Sequence, residues 1–219
     1  MSNLRLLLAD DHEIVRKGLR SVLEAQKDCE VVGEAADGRQ AIALVKELNP
    51  DIVILDISMP LLNGLEATRQ ILKIRPQTKV LILTMHESDP LIRDVLDAGA
   101  RGYILKTDAG RDLVTAVESL RRNKTFFTSR VSQMILDGFL KGDSRPSDSD
   151  SSGGIRLTPR QREIVQLLAE GKSSKEVAVA LDLSVKTAET HRANIMRKLD
   201  CHSVSEVVRY AIRNKIIEA

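Results

Sequence analysis

Along the first 121 residues the chain alternates two hydrophobic rhythms. Short apolar runs at 4–9, 31–35, 52–55, 80–84 and 102–105 have the length and β-branching of buried strands. Between them, 13–26, 38–48, 64–74, 89–98 and 111–121 repeat their apolar positions at helical spacing. Five strands, each followed by a helix, predict a parallel, doubly wound α/β sheet of flavodoxin-like type with helices on both faces. The run Ile52-Val53-Ile54-Leu55 is apolar at every position, as a strand covered on both sides must be.

A further helix is expected over 129–140, with Val131, Ile135, Leu136 and Phe139 on one side. Residues 142–154 contain no apolar side chain and are rich in Ser, Asp, Gly and Pro, so they cannot bury enough surface to fold. The expected organisation is therefore an α/β domain over 1–122, a linker helix and tether over 123–155, and an all-α domain over 156–219. A tether of this kind would let the last domain fold back and cover a helix of its own.

After the tether, helix starts repeat one device. Thr158-Pro159-Arg160-Gln161 puts Thr at the cap, Pro first in the helix and Gln three after the cap. Ser173…Glu176 and Ser203…Glu206 read as capping boxes. Ser184 should cap a helix running to Leu199, and Gly171 should end the first one. Four helices result, and the second and third, 174–181 and 185–199, are joined by the short turn Asp182-Leu183-Ser184. That is the spacing of a helix-turn-helix.

Charge sharpens the division. Residues 1–121 carry 16 basic and 19 acidic side chains, whereas 156–219 carry 12 and 8. The basic back half favours a nucleic-acid partner. On the helix after Ser184, Val185, Ala188, Ile195 and Leu199 should face inward. Lys186, Thr190, Ala193, Asn194 and Arg197 fall on the other side, with Glu189 at its edge. Such a face suits a major groove. Cys29 and Cys201 stand far apart in no metal-binding pattern, no apolar run approaches a membrane span, and no export signal opens the chain. A cytoplasmic setting without membrane contact is expected.

Ligands of an open α/β sheet bind at the carboxyl ends of the strands. There the sequence places Asp10 and Asp11 after the first strand, Asp56 after the third, Thr84 at the end of the fourth and Lys106 after the fifth. Crowded carboxylates call for a hard divalent cation, magnesium above all, and the lysine and threonine suit phosphoryl oxygens. His12 and His86 lie near the same edge as surface residues.

The segments Ala9-Asp10-Asp11-His12, Leu55-Asp56-Ile57-Ser58-Met59-Pro60, Asn63-Gly64, Leu83-Thr84-Met85 and Gly102-Tyr103-Ile104-Leu105-Lys106 resemble the receiver domain of two-component response regulators. The resemblance implies that Asp56 accepts a phosphoryl group from a sensor histidine kinase. Asp10, Asp11, Asp56 and the Ser58 carbonyl would hold Mg2+. Thr84 and Lys106 would bind the phosphoryl group, and Thr84 with Tyr103 would form a switch in which Tyr103 turns in from the surface. Where many receivers carry proline, Thr107 follows the lysine, and a cis bond there would cost about 3–4 kcal/mol.

The segment 157–199 resembles the LuxR-type DNA-binding domain, a resemblance that covers about 157–219, and the two halves together resemble a NarL/FixJ-type response regulator. This implies contacts to double-stranded DNA from Lys186, Glu189, Thr190, Ala193 and Arg197. It also implies a homodimer when phosphorylated, with Val204, Val207, Val208, Ala211 and Ile212 of the last helix offering apolar surface. The implied function is a phosphorylation-dependent transcription regulator whose only catalysis is on its own aspartate. Two alternatives are an aspartyl-phosphate phosphohydrolase, which would need an Asp at position 58 where Ser stands, and a phosphorylation-independent DNA binder.

Overall fold

The computed structural model describes residues 3–85, 88–129, 131–133, 136, 157–214 and 216–217. Its N-terminal unit runs β1 (Leu4–Ala9), α1 (Glu13–Glu24), β2 (Cys29–Ala35), α2 (Gly38–Leu48), β3 (Ile52–Asp56), α3 (Gly64–Ile74), β4 (Lys79–Thr84), α4 (Asp89–Asp97), β5 (Gly102–Leu105) and α5 (Ala109–Arg121). All strands pair in parallel in the order β2-β1-β3-β4-β5, the flavodoxin-like arrangement. β3 is buried throughout, which is why it reads as a continuous apolar run. One core, including Leu7, Val53, Ile71, Ile92 and Tyr103, lies against α2, α3 and α4. The other, including Leu6, Leu8, Leu23, Ile54 and Leu120, lies against α1 and α5.

The helix starts follow local chemistry. Asp37 accepts from the Gln40 amide and Asn63 from the Glu66 amide, each satisfying an amide that the first turn leaves free. α2 ends at Asn49 in the left-handed region (φ 49°), a conformation its short amide side chain tolerates. One pairing escapes the sequence pattern. Tyr103 N–H donates to the Phe126 carbonyl (2.9 Å) and Phe126 N–H to Arg101 (3.0 Å), so the chain after α5 lines the edge of β5.

The C-terminal unit consists of α6 (Pro159–Ala169), α7 (Ser174–Leu181), α8 (Val185–Leu199) and α9 (Val204–Arg213), packed around Ile164, Leu168, Val177, Ala188, Ile195 and Val207. Thr158 and Ser173 form reciprocal capping boxes with Gln161 and Glu176. Gly171 (φ 83°) lies two residues beyond the end of α6. Ser203 caps α9, but Glu206 does not close the expected box. Its carboxylate accepts from the His202 amide (2.5 Å), one residue earlier.

Of the tether, nothing lies within the described residues. Of the linker helix, Ser129, 131–133 and Leu136 are helical, and Val131 is buried against the N-terminal unit. Ile135, Phe139 and His86 also fall outside the described residues. Cys29 and Cys201 are both buried and free, and burial pushes both thiols up. Among the described residues no helix is long and apolar enough to cross a membrane.

The two units touch, though not in the way expected. α6 docks on the loop after β3 and on α3, while Lys186, Glu189, Thr190, Ala193 and Arg197 of α8 stay exposed. Folding back over that helix is not what the structure holds.

Candidate phosphoacceptor and DNA-binding sites

Asp10, Asp56, Thr84 and Lys106 converge because the parallel register brings the ends of β1, β3, β4 and β5 to one edge. Asp10, Asp56 and Thr84 are almost completely buried; Asp11 is exposed beside them. Lys106 Nζ lies 2.7 Å from Asp10 Oδ2 and 2.9 Å from Asp56 Oδ2. Burial raises the Asp56 pKa, outweighing the hydrogen bond and charge of Lys106 that lower it. For Lys106, burial works against the ammonium, but the bonds and charges of Asp10 and Asp56 prevail and its pKa is raised.

Carboxylate oxygens of Asp10, Asp11 and Asp56 and a ring nitrogen of His12 lie within 4.8 Å of one another. Several convergent hard oxygens, already enough negative charge to hold a buried lysine, fit a divalent cation such as Mg2+. Receiver domains typically hold Mg2+ at such an acidic pocket. His12 Nδ1 is 2.9 Å from Asp11 Oδ1, and its backbone N–H donates to Asp10 Oδ1 at 2.8 Å.

Two supporting features add to these residues, and the first of them, Arg16, was not singled out from the sequence. Arg16 Nη1 donates to the Asp10 carbonyl (2.7 Å) and its Nε to Glu34 (3.3 Å), bracing the β1 end. Gly64 opens α3 so close beneath the phosphoacceptor strand that an added Cβ would stand 2.1 Å from the Asp56 carbonyl oxygen. Its N–H donates to Ile57 (2.9 Å). The Asn63-Gly64 pair is legible in the sequence, but the close approach needs the fold.

Two expectations change. Tyr103 is already fully buried, packed in the core with Ile92 and Val131, rather than turned out to the surface. The backbone around Thr107 contains no cis peptide bond. Residues Lys106–Asp108 instead form a 3-10 turn that leads into α5.

On α8, Ala188, Ile195 and Leu199 face inward as expected, but Val185 is 39% exposed. Helical side chains lean toward the N-terminus, so a residue in the first turn overhangs the Asp182–Ser184 turn rather than the core. Thr190 Oγ1 donates to the Lys186 carbonyl (2.9 Å) and Arg197 Nη2 to Asn194 Oδ1 (3.1 Å), ordering the exposed face. On α9, Val207 and Ala211 are spent in the unit's own core. Val204 and Ile212 are exposed and Val208 is half-buried.

A doubly wound unit with an aspartate pocket, followed by a helix-turn-helix, defines a regulator that couples a phosphoacceptor module to DNA. Residues 6–118 match the response regulator receiver domain, and residues 156–211 match the bacterial regulatory proteins of the luxR family. The chain belongs to the two-component response regulators of the NarL/FixJ type. It is a DNA-binding regulator of transcription by family. It is 38% identical to the oxygen regulatory protein NreC of Staphylococcus carnosus, over 98% of this chain and all of the relative. It is 37% identical to the transcriptional regulatory protein LiaR of Bacillus subtilis, over 98% and 99%. A LuxR-family regulator from Aurantimonas sp. superposes with a TM-score of 0.59 at 36% identity, covering 64% of this chain and 99% of that one. The RcsB–DNA complex superposes with a TM-score of 0.57 at 30% identity, covering 95% and 98%.

Proposed function

We propose that this chain is a cytoplasmic transcription regulator switched by phosphorylation of Asp56 by a sensor histidine kinase. Residues 1–122 act as the receiver, 123–155 as the connection and 156–219 as the DNA-binding domain. The observation that carries the reading is the Asp56 carboxylate, buried at a strand end with Lys106 Nζ at 2.9 Å and the Asp10 carboxylate beside it.

In the transfer, an Asp56 oxygen attacks phosphorus and forms the new O–P bond. The P–N bond to the donor histidine breaks, its electron pair stays on the imidazole nitrogen, and that nitrogen takes up a proton. Asp10, Asp11, Asp56 and the Ser58 carbonyl would hold Mg2+, which when bound supplies charge that offsets the carboxylates and the incoming phosphoryl oxygens. Lys106 neutralises the acyl phosphate once formed, and Thr84 offers its hydroxyl to the phosphoryl oxygens. Because Tyr103 is already inside, loading stabilises a packed arrangement of β4 and β5 rather than pulling a ring in from solvent.

The exposed face of α8 supports contacts to double-stranded DNA from Lys186, Glu189, Thr190, Ala193 and Arg197. For a homodimer, Val204, Val208 and Ile212 offer the available part of α9. Phosphorylation promotes that dimer, the release of the DNA-binding domain, or both. The test is labelling by acetyl phosphate with magnesium. The wild type should label and bind DNA more tightly when labelled, and Asp56→Asn should do neither while remaining folded. Labelling and activation that survive in Asp56→Asn would remove the phosphoacceptor assignment.

A further inference from the structure

His12 opens α1 at the mouth of the pocket, and local structure gives its ring no task there. It holds the N-cap position, at φ −85° and ψ 107°, yet its side chain caps no amide. Histidine is not among the residues that helices favour at this position. The side chain is 66% exposed, so packing does not hold it either. What the ring meets is the carboxylate pair of the pocket. Nδ1 lies 2.9 Å from Asp11 Oδ1 and 3.3 Å from Asp10 Oδ1.

These distances have the dimensions of a coordination sphere. A six-coordinate ion with bonds of roughly 2.1 Å holds neighbouring donors about 3.0 Å apart and opposite donors about 4.2 Å apart. Nδ1 stands near the neighbouring-donor spacing from both aspartates. One donor atom each from Asp10, Asp11, His12 and Asp56 falls within 4.8 Å of all the others. The His12 N–H donates to Asp10 Oδ1 at 2.8 Å, which fixes the root of the ring against the carboxylate it faces. Lys106 Nζ reaches Asp10 Oδ2 and Asp56 Oδ2, but only the contact to Asp56 has hydrogen-bond geometry. Asp10, its side chain 2% exposed, thus keeps a buried oxygen without a hydrogen-bond partner among the described residues. Buried polar atoms are normally partnered, and a cation suits an oxygen placed this way.

Donor chemistry decides which cation. Carboxylates alone are a hard set and fit Mg2+, which sheds its waters reluctantly. One added ring nitrogen moves the set toward divalent ions of the first transition row, for which imidazole is a favoured ligand. We propose that His12 is a further side-chain ligand of this pocket, through which it binds a divalent transition ion such as Co2+ more tightly than Mg2+. The proposal rests on the reading of the Asp10–Asp11–Asp56 pocket as the metal site. In it, Nδ1 gives its lone pair to the ion and the ring keeps its proton on Nε2. The contact of Nδ1 with Asp11 becomes one edge of the coordination sphere. Mg2+ then uses the carboxylates, and Co2+ uses the carboxylates and the ring.

The test titrates the purified full chain with Co2+ or Mg2+ alone, with no phosphodonor present. Calorimetry should give Co2+ binding at least about tenfold tighter than Mg2+ binding. Proton NMR of the Co2+-loaded chain should show a strongly shifted resonance that vanishes in D2O, from the Nε2 proton of a coordinated imidazole. His12→Phe should lose that resonance and weaken Co2+ at least about tenfold, while Mg2+ affinity moves less than about twofold. His12→Asn supplies a favoured N-cap residue and repeats the test should phenylalanine disturb α1. His202, 3.6 Å from Asp200 on an exposed part of the helical unit, controls for stray histidine binding. His202→Ala should leave the resonance in place. A Co2+ affinity no higher than that for Mg2+, or a shifted resonance that survives both His12 variants, overturns the proposal and leaves the carboxylate pocket standing. Binding of neither ion, or binding unchanged in Asp10→Asn, overturns the pocket reading and the proposal with it.

Discussion

Lys106→Met isolates the charge at the pocket, because it keeps a stem of similar length and removes only the ammonium. Asp10 and Asp56 then face each other, both nearly sealed from water, with oxygens within 4.8 Å. At an effective dielectric near 20, two unit charges at that distance repel by about 3 kcal/mol. Removing one partner of a buried ion pair costs about 3–5 kcal/mol, so a loss near 3 kcal/mol is expected without divalent cations at neutral pH. Urea unfolding of the full chain, followed by circular dichroism, measures it. The pH dependence has a definite sign. Lys106 lowers the Asp56 pKa, so its loss raises further a value that burial already holds above normal. A carboxyl raised in the folded state destabilises the fold above its folded pKa and costs nothing below its unfolded one. The deficit should thus shrink as pH falls from neutral through the folded pKa. Mg2+ should shrink it too, and so should Asp56→Asn in the same chain. A variant as stable as wild type without cations, or a deficit that none of these relieves, would refute the electrostatic account.

Gly64→Ala should destabilise the receiver by about 1–3 kcal/mol, the range for overpacking a tight site, and slow acetyl-phosphate labelling; thermal unfolding and labelling kinetics would show both. Thr190→Ala should change base preference, by about 1–3 kcal/mol at the base it contacts, in binding assays on a set of duplexes. Arg197→Ala should instead weaken all duplexes alike and reduce the salt slope by about one unit. Equal effects of the two changes on specific and random DNA would remove Thr190 from base readout.

Much of this molecule is legible in its residues. β1, β5, α2, α3, α7 and α8 begin and end where the apolar rhythm and capping residues place them, because each signal is local. The convergence of Asp10, Asp56, Thr84 and Lys106 is legible as well, since a parallel sheet sends every strand's carboxyl end to one edge. What escapes depends on distant partners. Phe126 looks like a loop residue until β5 leaves an edge for it to pair with. Glu206 has the spacing of a capping box, yet a second amide, from His202, lies within reach and wins. Val185 falls on the apolar stripe but overhangs the end of its helix. Tyr103 gives no sign of which way its ring turns, because either rotamer satisfies the strand pattern. Gln166 and Glu170 carry no signal in the sequence reading, and only the docked loop shows why they are buried or bound.

Leu61 bears on how such regulators can be recombined. Its backbone belongs to one domain and its side chain to the hydrophobic interior of the other. A chimera that joins this DNA-binding domain to a foreign receiver would leave a socket on α6 and α7 empty. A chimera that keeps this receiver and takes a foreign reader would leave a leucine exposed in an awkward backbone pose. The natural seam for exchange is then not the tether alone, because the segment 59–63 and the facing side of α6 form one inheritable unit.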